Sequence, residues 1–219
     1  FVGNFEITLG PTDGGKDTQE LRVGTVIVAT GADEMKPDGL YGYGEVPNVV
    51  TELQLEAQLR DGDVPPLDNV VFIQCTGARG QRVTYCSRVC CMTGIKNAME
   101  LKEANPDAQV SVLYRDIMAY GISYEDLYQR ARRRGVKFIR HPKEEVPTVE
   151  AGEGDKVRVT YRDVILGRDS VVDADLVVLS TPLVQHEDAQ ELAQMLRVPL
   201  GQDRFFFEAH VKLRPIDFA

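Results

Sequence analysis

Three observations assign this sequence to the α/β class, as a three-layer Rossmann-like parallel sheet carrying a small antiparallel insert. Apolar runs without polar alternation recur along it, among them "TVIVAT", "NVVFIQC" and "LVVLST", the pattern of strands buried on both faces. From residue 69 such runs alternate with segments of helical pattern, the order of βαβ units. Two antiparallel-looking strands then come late in the chain, around 144–150 and 156–163.

The elements follow in order. Residues 4–9 and 20–29 read as strands around the breaker-rich turn "PTDGGKD", and the second continues into the apolar run "RVGTVIVATGA". After a Gly- and Pro-punctuated loop, "TELQLEAQLR" is a short amphipathic helix with Thr51 as its N-cap, and 61–69 is a connector between domains. "NVVFIQC" is a buried strand, 90–104 a helix ended by "NPD", and "QVSVLYRD" the next strand. "SYEDLYQRARRRG" is a helix with Ser123 as cap, acids in its first turn and Gly135 as its stop. "VKFIRH" is a strand, the antiparallel pair precedes "DADLVVLST", and helix 187–196 and an irregular tail close the chain.

Bulk composition narrows the function classes. A chain of 219 residues holds one large or two modest domains, and 43% hydrophobic with 27% charged residues is the balance of a soluble globular protein. The net charge of −9 argues against nucleic acid, which needs a basic face. No apolar run is long enough to span a bilayer, and no signal peptide is visible. The opening "FVGNFEITLG" lacks a starting Met and reads like a strand in progress, so a fragment of a longer protein is expected. Disulfides are a weak reading of the four cysteines without an export signal, and reduced thiols in the cytoplasm fit better.

Those cysteines carry the chemistry. Cys75 ends a strand, and Cys86, Cys90 and Cys91 approach a helix start, with spacing C-x10-C-x3-C-C. Ligands in parallel α/β domains sit beyond the carboxyl ends of strands. A dinucleotide fold would show G-x-G-x-x-G at this turn, yet "CTGARGQRVTYCSRVCC" has the wrong glycine spacing and places thiols there instead. Four convergent thiolates suit zinc or an iron–sulfur cluster. Zinc sites favour paired C-x2-C hooks, whereas adjacent cysteines fit the separate iron corners of a cubane. Unliganded thiols packed as small hydrophobes stay open as a third reading.

The stretch "VFIQCTGAR…YCSRVCCMTGIKNAMELKEANPDAQVSVLYRDIMAYGISYEDLYQRARRRGVKFIR" closely resembles the A subunit of heterodisulfide reductase and its bacterial homologues, with "YGYGEVPNVVTELQLE" and "DADLVVLS" extending the likeness. Members of that family are thioredoxin-reductase-like flavoproteins with FAD and several [4Fe–4S] clusters. The resemblance implies that Cys75, Cys86, Cys90 and Cys91 ligate one [4Fe–4S] cluster near the flavin. It implies that Ala29, Thr30 and Gly31 match an A-T-G strand end near the FAD, and that Lys96 and Glu56 form a pair near the flavin's reactive nitrogen. Read without it, Lys96 and Glu56 are solvated helix faces or a surface ion pair.

The expected organisation is a partial FAD-domain β-structure over 1–60, a linker over 61–69, a cluster-binding Rossmann-like domain over 70–185, and a return segment toward the FAD domain over 186–219. The linker is shorter than the family leads one to expect. The family's FAD-binding glycine motif should precede residue 1, so the chain alone is not expected to hold FAD. Pro182, where a glycine would admit a nucleotide, makes NAD(P) binding doubtful. The function implied is electron relay between FAD and iron–sulfur clusters in a cytoplasmic complex. Its partners would be a donor protein of hydrogenase or dehydrogenase type and other heterodisulfide-reductase-like subunits, with a homodimer left open. Rival readings are a pyridine-nucleotide disulfide oxidoreductase with a redox dithiol, and a zinc-stabilised docking module. Arg130, Arg132, Arg133 and Arg134 suit a helix C-terminus, with partner docking as the alternative, while the three His and the pair Tyr120 and Tyr124 read as structural.

Overall fold

The computed structural model describes residues 3–11, 14–62 and 64–218. Thr12 and Asp13 of the expected turn and Asp63 of the expected connector lie outside the described residues. The chain forms two compact units, one ending at Gly31 and one beginning at Ala32.

In the first unit, β1 (Phe5–Leu9) and β2 (Gln19–Val23) form an antiparallel hairpin, with Phe5 opposite Val23 and Leu9 opposite Gln19. The strand expected over 20–29 stops there. Residues 24–31 adopt no regular structure and Ile27 is 86% exposed. Hairpin pairing ends at Phe5 and Val23, and Gly3, two residues before Phe5, has φ of 80°. An apolar run becomes a doubly buried strand only where neighbours bond to both of its edges, and among the described residues no strand pairs with 24–31.

The second unit runs β3 (Asp33–Glu34), β4 (Val49–Thr51), α1 (Glu52–Asp61), β5 (Asn69–Ile73), α2 (Cys90–Ala104), β6 (Gln109–Tyr114), α3 (Tyr124–Arg133) and β7 (Lys137–Arg140). It continues with β8 (Thr148–Ala151), β9 (Val157–Asp163), β10 (Arg168–Ala174), β11 (Leu176–Leu179), β12 (Leu183–Val184), α4 (Ala189–Leu196), β13 (Glu208–His210) and β14 (Arg214–Phe218). Five parallel strands make the central sheet in the order β4-β11-β5-β6-β7.

Successive residues of a strand point to opposite faces, and here both faces are covered. Val70, Phe72, Val110, Val112 and Val178 pack with Leu55, Ile95, Ala98, Leu101 and Ala131 from α1, α2 and α3. Val71, Ile73, Leu113, Val177 and Leu179 pack with Val157, Val159, Tyr161 and Ala174 of the antiparallel sheet β8-β9-β10. The expected three layers are therefore helices, parallel sheet and antiparallel sheet. That insert has one strand more than expected. Strand β10 returns along β9 after a turn in which the Asp163 carboxylate accepts from the amides of Ile165 and Leu166 at 2.8 and 2.9 Å.

Local chemistry sets the helix ends. Thr51 caps α1 in a reciprocal arrangement with Gln54, whose amide N–H lies 3.3 Å from the Thr51 hydroxyl, and Gly62 closes the helix in the left-handed region. Ser123 does stand at the cap position of α3, but its backbone is left-handed and its side chain makes no capping bond. The connector expected between domains lies inside the second unit, because β4 and α1 before it join the central sheet and the helix layer. No helix among the described residues is long and apolar enough to cross a membrane.

The chain proceeds from β5 outward through β6 to β7, then returns through the antiparallel sheet to β11 on the other side of β5. The carboxyl ends of β5 and β11 thus flank a switch point, the place where open α/β sheets bind ligands.

Candidate functional site

Residues 74–89 join β5 to α2 across this switch point. Beyond β5 the amide of Gln74 donates to Leu113 O at 2.9 Å and that of Thr76 to Ser180 O at 3.0 Å, which ties the loop to β6 and to the residue after β11. The Tyr85 hydroxyl donates to Leu183 O at 2.8 Å, and the Leu183 amide to the Ser87 hydroxyl at 2.7 Å. Three non-glycine residues here, Cys75, Arg79 and Arg88, have φ of 61°, 54° and 63°. Such conformations cost on the order of 1–3 kcal/mol each and persist where surroundings over-determine them.

All four cysteines are free thiols; Cys75, Cys90 and Cys91 are buried and Cys86 is half-buried. Cys75 follows β5, while Cys90 and Cys91 open α2, as the sequence leads one to expect. Cys90 and Cys91 share a hydrogen bond, so they titrate as a pair. The bond draws the first proton from Cys91, which is lowered to about 7, and with burial it raises Cys90 well above an ordinary thiol. Burial also raises Cys75, against the pull of the Arg115 guanidinium. The charges of Cys75, Cys90 and Cys91 act on one another, whereas Cys86 lies farther along the loop. Among the described residues no three His, Cys, Asp or Glu side chains could clasp one metal ion. A four-iron cluster does not require that, since each thiolate binds a different iron. The donor set is therefore chemically suited to a cluster: two reduced thiols in a strained loop and two at the helix start that follows it, at a switch point.

A second group of residues, not foreseen from the sequence, lies near Cys90 and Cys91. Glu52 opens α1 and is 4% exposed. Its carboxyl accepts from the Ser180 hydroxyl, and its backbone carbonyl accepts from the Asn97 amide at 3.3 Å. Burial raises its pKa well above the ordinary glutamate value, which favours the protonated form. Gln74, Asn97 and Thr181 each bury polar side-chain atoms without a hydrogen-bond partner, an expensive state for a protein interior. Glu52, Gln74 and Ser180 crowd Gly94 on α2. The signal for this group is a buried glutamate, and the sequence conceals it, because Ser180 lies 128 positions from Glu52.

Lys96 and Glu56 are brought together, with Nζ 3.0 Å from the carboxylate and Glu100 at 3.7 Å. Both side chains are partly exposed, so their mutual stabilisation is small. Ala29, Thr30 and Gly31 stand in the irregular, exposed end of the first unit. Tyr120 and Tyr124, expected as packing residues, form a T-shaped pair at 6.3 Å, yet Tyr120 is exposed. The basic residues near 130–134 remain at the C-terminal end of α3, where Arg134 pairs with Glu103.

The fold defines the class first. Over 99% of this chain and 64% of the other, it superposes on thioredoxin reductase from T. acidophilum with a TM-score of 0.52 at 17% identity. Over 93% of this chain and 55% of the other, it superposes on L-lysine 6-monooxygenase from Pseudomonas syringae with a TM-score of 0.53 at 12% identity. The chain thus has the α/β architecture of thioredoxin-reductase-like proteins.

No protein-family model matches it. Among curated proteins it is 41% identical, over 213 residues, to the A subunit of the H(2)/formate:CoB-CoM heterodisulfide,ferredoxin reductase of Methanococcus maripaludis. It is 40% identical, over 216 residues, to the iron-sulfur A subunit of the CoB–CoM heterodisulfide reductase of Methanocaldococcus jannaschii. Each match takes in 90% of this chain and 32% of the relative. The resemblance to the A subunit of heterodisulfide reductase is a homology along nearly the whole chain, which spans about a third of the length of those relatives.

Proposed function

We propose that this chain is an electron-transfer segment of a heterodisulfide-reductase A-type flavoprotein, with Cys75, Cys86, Cys90 and Cys91 as ligands of a [4Fe–4S] cluster. The observation that carries the reading is the burial of Cys75 just past the end of β5 and of Cys90 and Cys91 at the start of α2, at the β5/β11 switch point. A relative 40% identical to the chain is named as an iron-sulfur component of heterodisulfide reductase. When bound, a cluster of this kind accepts and passes on single electrons. The chain's own part is to hold four thiolates in place and keep water away from them. Cys75, Cys90 and Cys91 are buried, and the Cys91 sulfur faces Asp116 O at 3.9 Å. FAD would be held by the complete protein, with Ala29, Thr30 and Gly31 among its contacts, and the partners would be other members of a heterodisulfide reductase complex in the cytoplasm. Anaerobic reconstitution tests the cluster. Roughly four iron and four sulfide per chain are expected, and stoichiometric zinc without sulfide would contradict the assignment.

A redox dithiol is the second reading, favoured by the hydrogen bond between Cys90 and Cys91. Against it, a disulfide between adjacent residues closes a strained small ring. Two thiols per chain that oxidise reversibly in iron-free protein, with no sulfide taken up, would select it.

The flavin reading assigns Lys96 a role as well. Its ammonium would favour a negatively charged reduced flavin, while Glu56 and Glu100 already offset part of its charge. A net effect of about 1 kcal/mol corresponds to roughly 20 mV for a two-electron couple. Lys96→Gln in the flavin-loaded protein is therefore expected to lower the flavin potential by about that amount, with iron content unchanged. A redox titration with no shift would make the ion pair a surface feature only.

A further inference from the structure

We infer that Arg115 is the buried counter-charge of the thiol site and raises the reduction potential of the cluster held there; this rests on the cluster reading above.

Backbone register puts Arg115 in position. Ile73 of β5 pairs with Leu113 of β6, and the Gln74 amide reaches Leu113 O at 2.9 Å. Two residues farther along each chain bring Cys75 and Arg115 to the same end of the sheet. Arg115 is 8% exposed, and its guanidinium donates to Ala78 O at 3.1 Å, three residues along the loop from Cys75. Among the described residues, no carboxylate lies within salt-bridge distance of it. A buried guanidinium without an anion carries a large desolvation cost.

The neighbours add to the imbalance. Arg79 and Arg140 share one carboxylate, Asp116, at 2.8 and 3.9 Å, and Nη1 of Arg79 is buried without a partner. His141 is buried beside this group, and burial lowers its affinity for a proton. Arg79 and Arg140 thus share the partly exposed Asp116 carboxylate, while the buried Arg115 has none within salt-bridge distance. The arrangement suits an anionic occupant of the thiol loop. A four-thiolate cluster is such an anion, and it gains one further negative charge, without a proton, for each electron it accepts. A fixed cation beside it favours that added charge.

The test is an equilibrium redox titration of anaerobically reconstituted protein against mediators, with the reduced cluster read by its paramagnetic signal. At the wild-type midpoint, Arg115→Gln is expected to lower the reduced-to-oxidised ratio about tenfold, which is roughly 59 mV for a one-electron couple. Arg115→Lys keeps the charge and should restore the ratio to within about threefold of wild type. Iron and sulfide content should be unchanged in both. A fully loaded Arg115→Gln protein with an unaltered ratio overturns the inference. If that variant does not assemble a cluster, Arg79→Gln decides, since it leaves the bond to Ala78 in place. A ratio about threefold lower supports the counter-charge role, given the partial exposure of Arg79, and an unaltered one overturns it. Wild-type protein that takes up neither iron nor sulfide sinks the cluster reading itself, independently of any arginine variant.

Discussion

Cys90→Ala is expected to reduce bound iron and sulfide from roughly four of each to below about one per chain. Cys90 opens α2 and is 5% exposed. Three remaining thiolates leave one corner of a cubane open to solvent, and a partly ligated cluster is readily lost. Cys91→Ala and Cys75→Ala should behave alike, for the same reason. Folding should survive, because alanine fills most of the space of a buried thiol and a thiol makes only weak hydrogen bonds; the far-ultraviolet circular dichroism of each variant is expected to match wild type. Retention of full iron by Cys90→Ala would remove that residue from the ligand set. If all three variants kept their iron, the thiols would be no more than core packing.

The second large effect is expected at Gly94. A Cβ at this position would collide with the Glu52 carboxyl and come within 2.6 Å of the Gln74 amide nitrogen. Both side chains are buried and cannot swing into solvent. Alanine is the better helix former by about 1 kcal/mol, so an open site would gain stability from Gly94→Ala. Here overpacking costs about 1–3 kcal/mol, and displacing Glu52 from the Ser180 hydroxyl leaves buried polar groups unpaired at a comparable cost. The net result should be a loss of about 2 kcal/mol in denaturant unfolding. A gain of stability would mean the buried carboxyl has room to move.

Glu52→Gln supplies the contrast. The neutral amide imitates the protonated carboxyl, so the substitution should remove a pH dependence rather than a contact. A carboxyl whose folded pKa is raised contributes stability below its unfolded value, and that contribution is lost as pH rises. Wild-type protein should therefore lose stability upward from about pH 4.5, the ordinary value for glutamate, and Glu52→Gln should lose less over the same range.

Much of this molecule is determined by residues acting on near neighbours. Thr51 and Gln54 start α1 by satisfying each other's backbone amides three residues apart. Helix α2 runs from Cys90 to Ala104, as its pattern predicts. The apolar runs at 69–73, 109–114 and 176–179 become central strands because both of their faces are covered. The cysteine spacing puts thiols at a strand end and a helix start, which in a parallel sheet is also the ligand-binding end.

Other features depended on residues far apart in the chain. The run at 24–31 is as apolar as the true strands, yet it forms none, since a strand needs partners and composition cannot supply them. Ser123 has the right side chain for a cap and the wrong backbone conformation. Glu52 meets Ser180 across 128 positions, and Arg115 meets the Ala78 carbonyl across 37, through sheet register alone. Periodicity and capping read interactions within a few residues, whereas the burial that raises a carboxyl's pKa or leaves a guanidinium without a carboxylate is produced by the packed layers. Sequence alone therefore determined where the four thiols fall in the fold's elements, and the tertiary structure decided which charges lie near them.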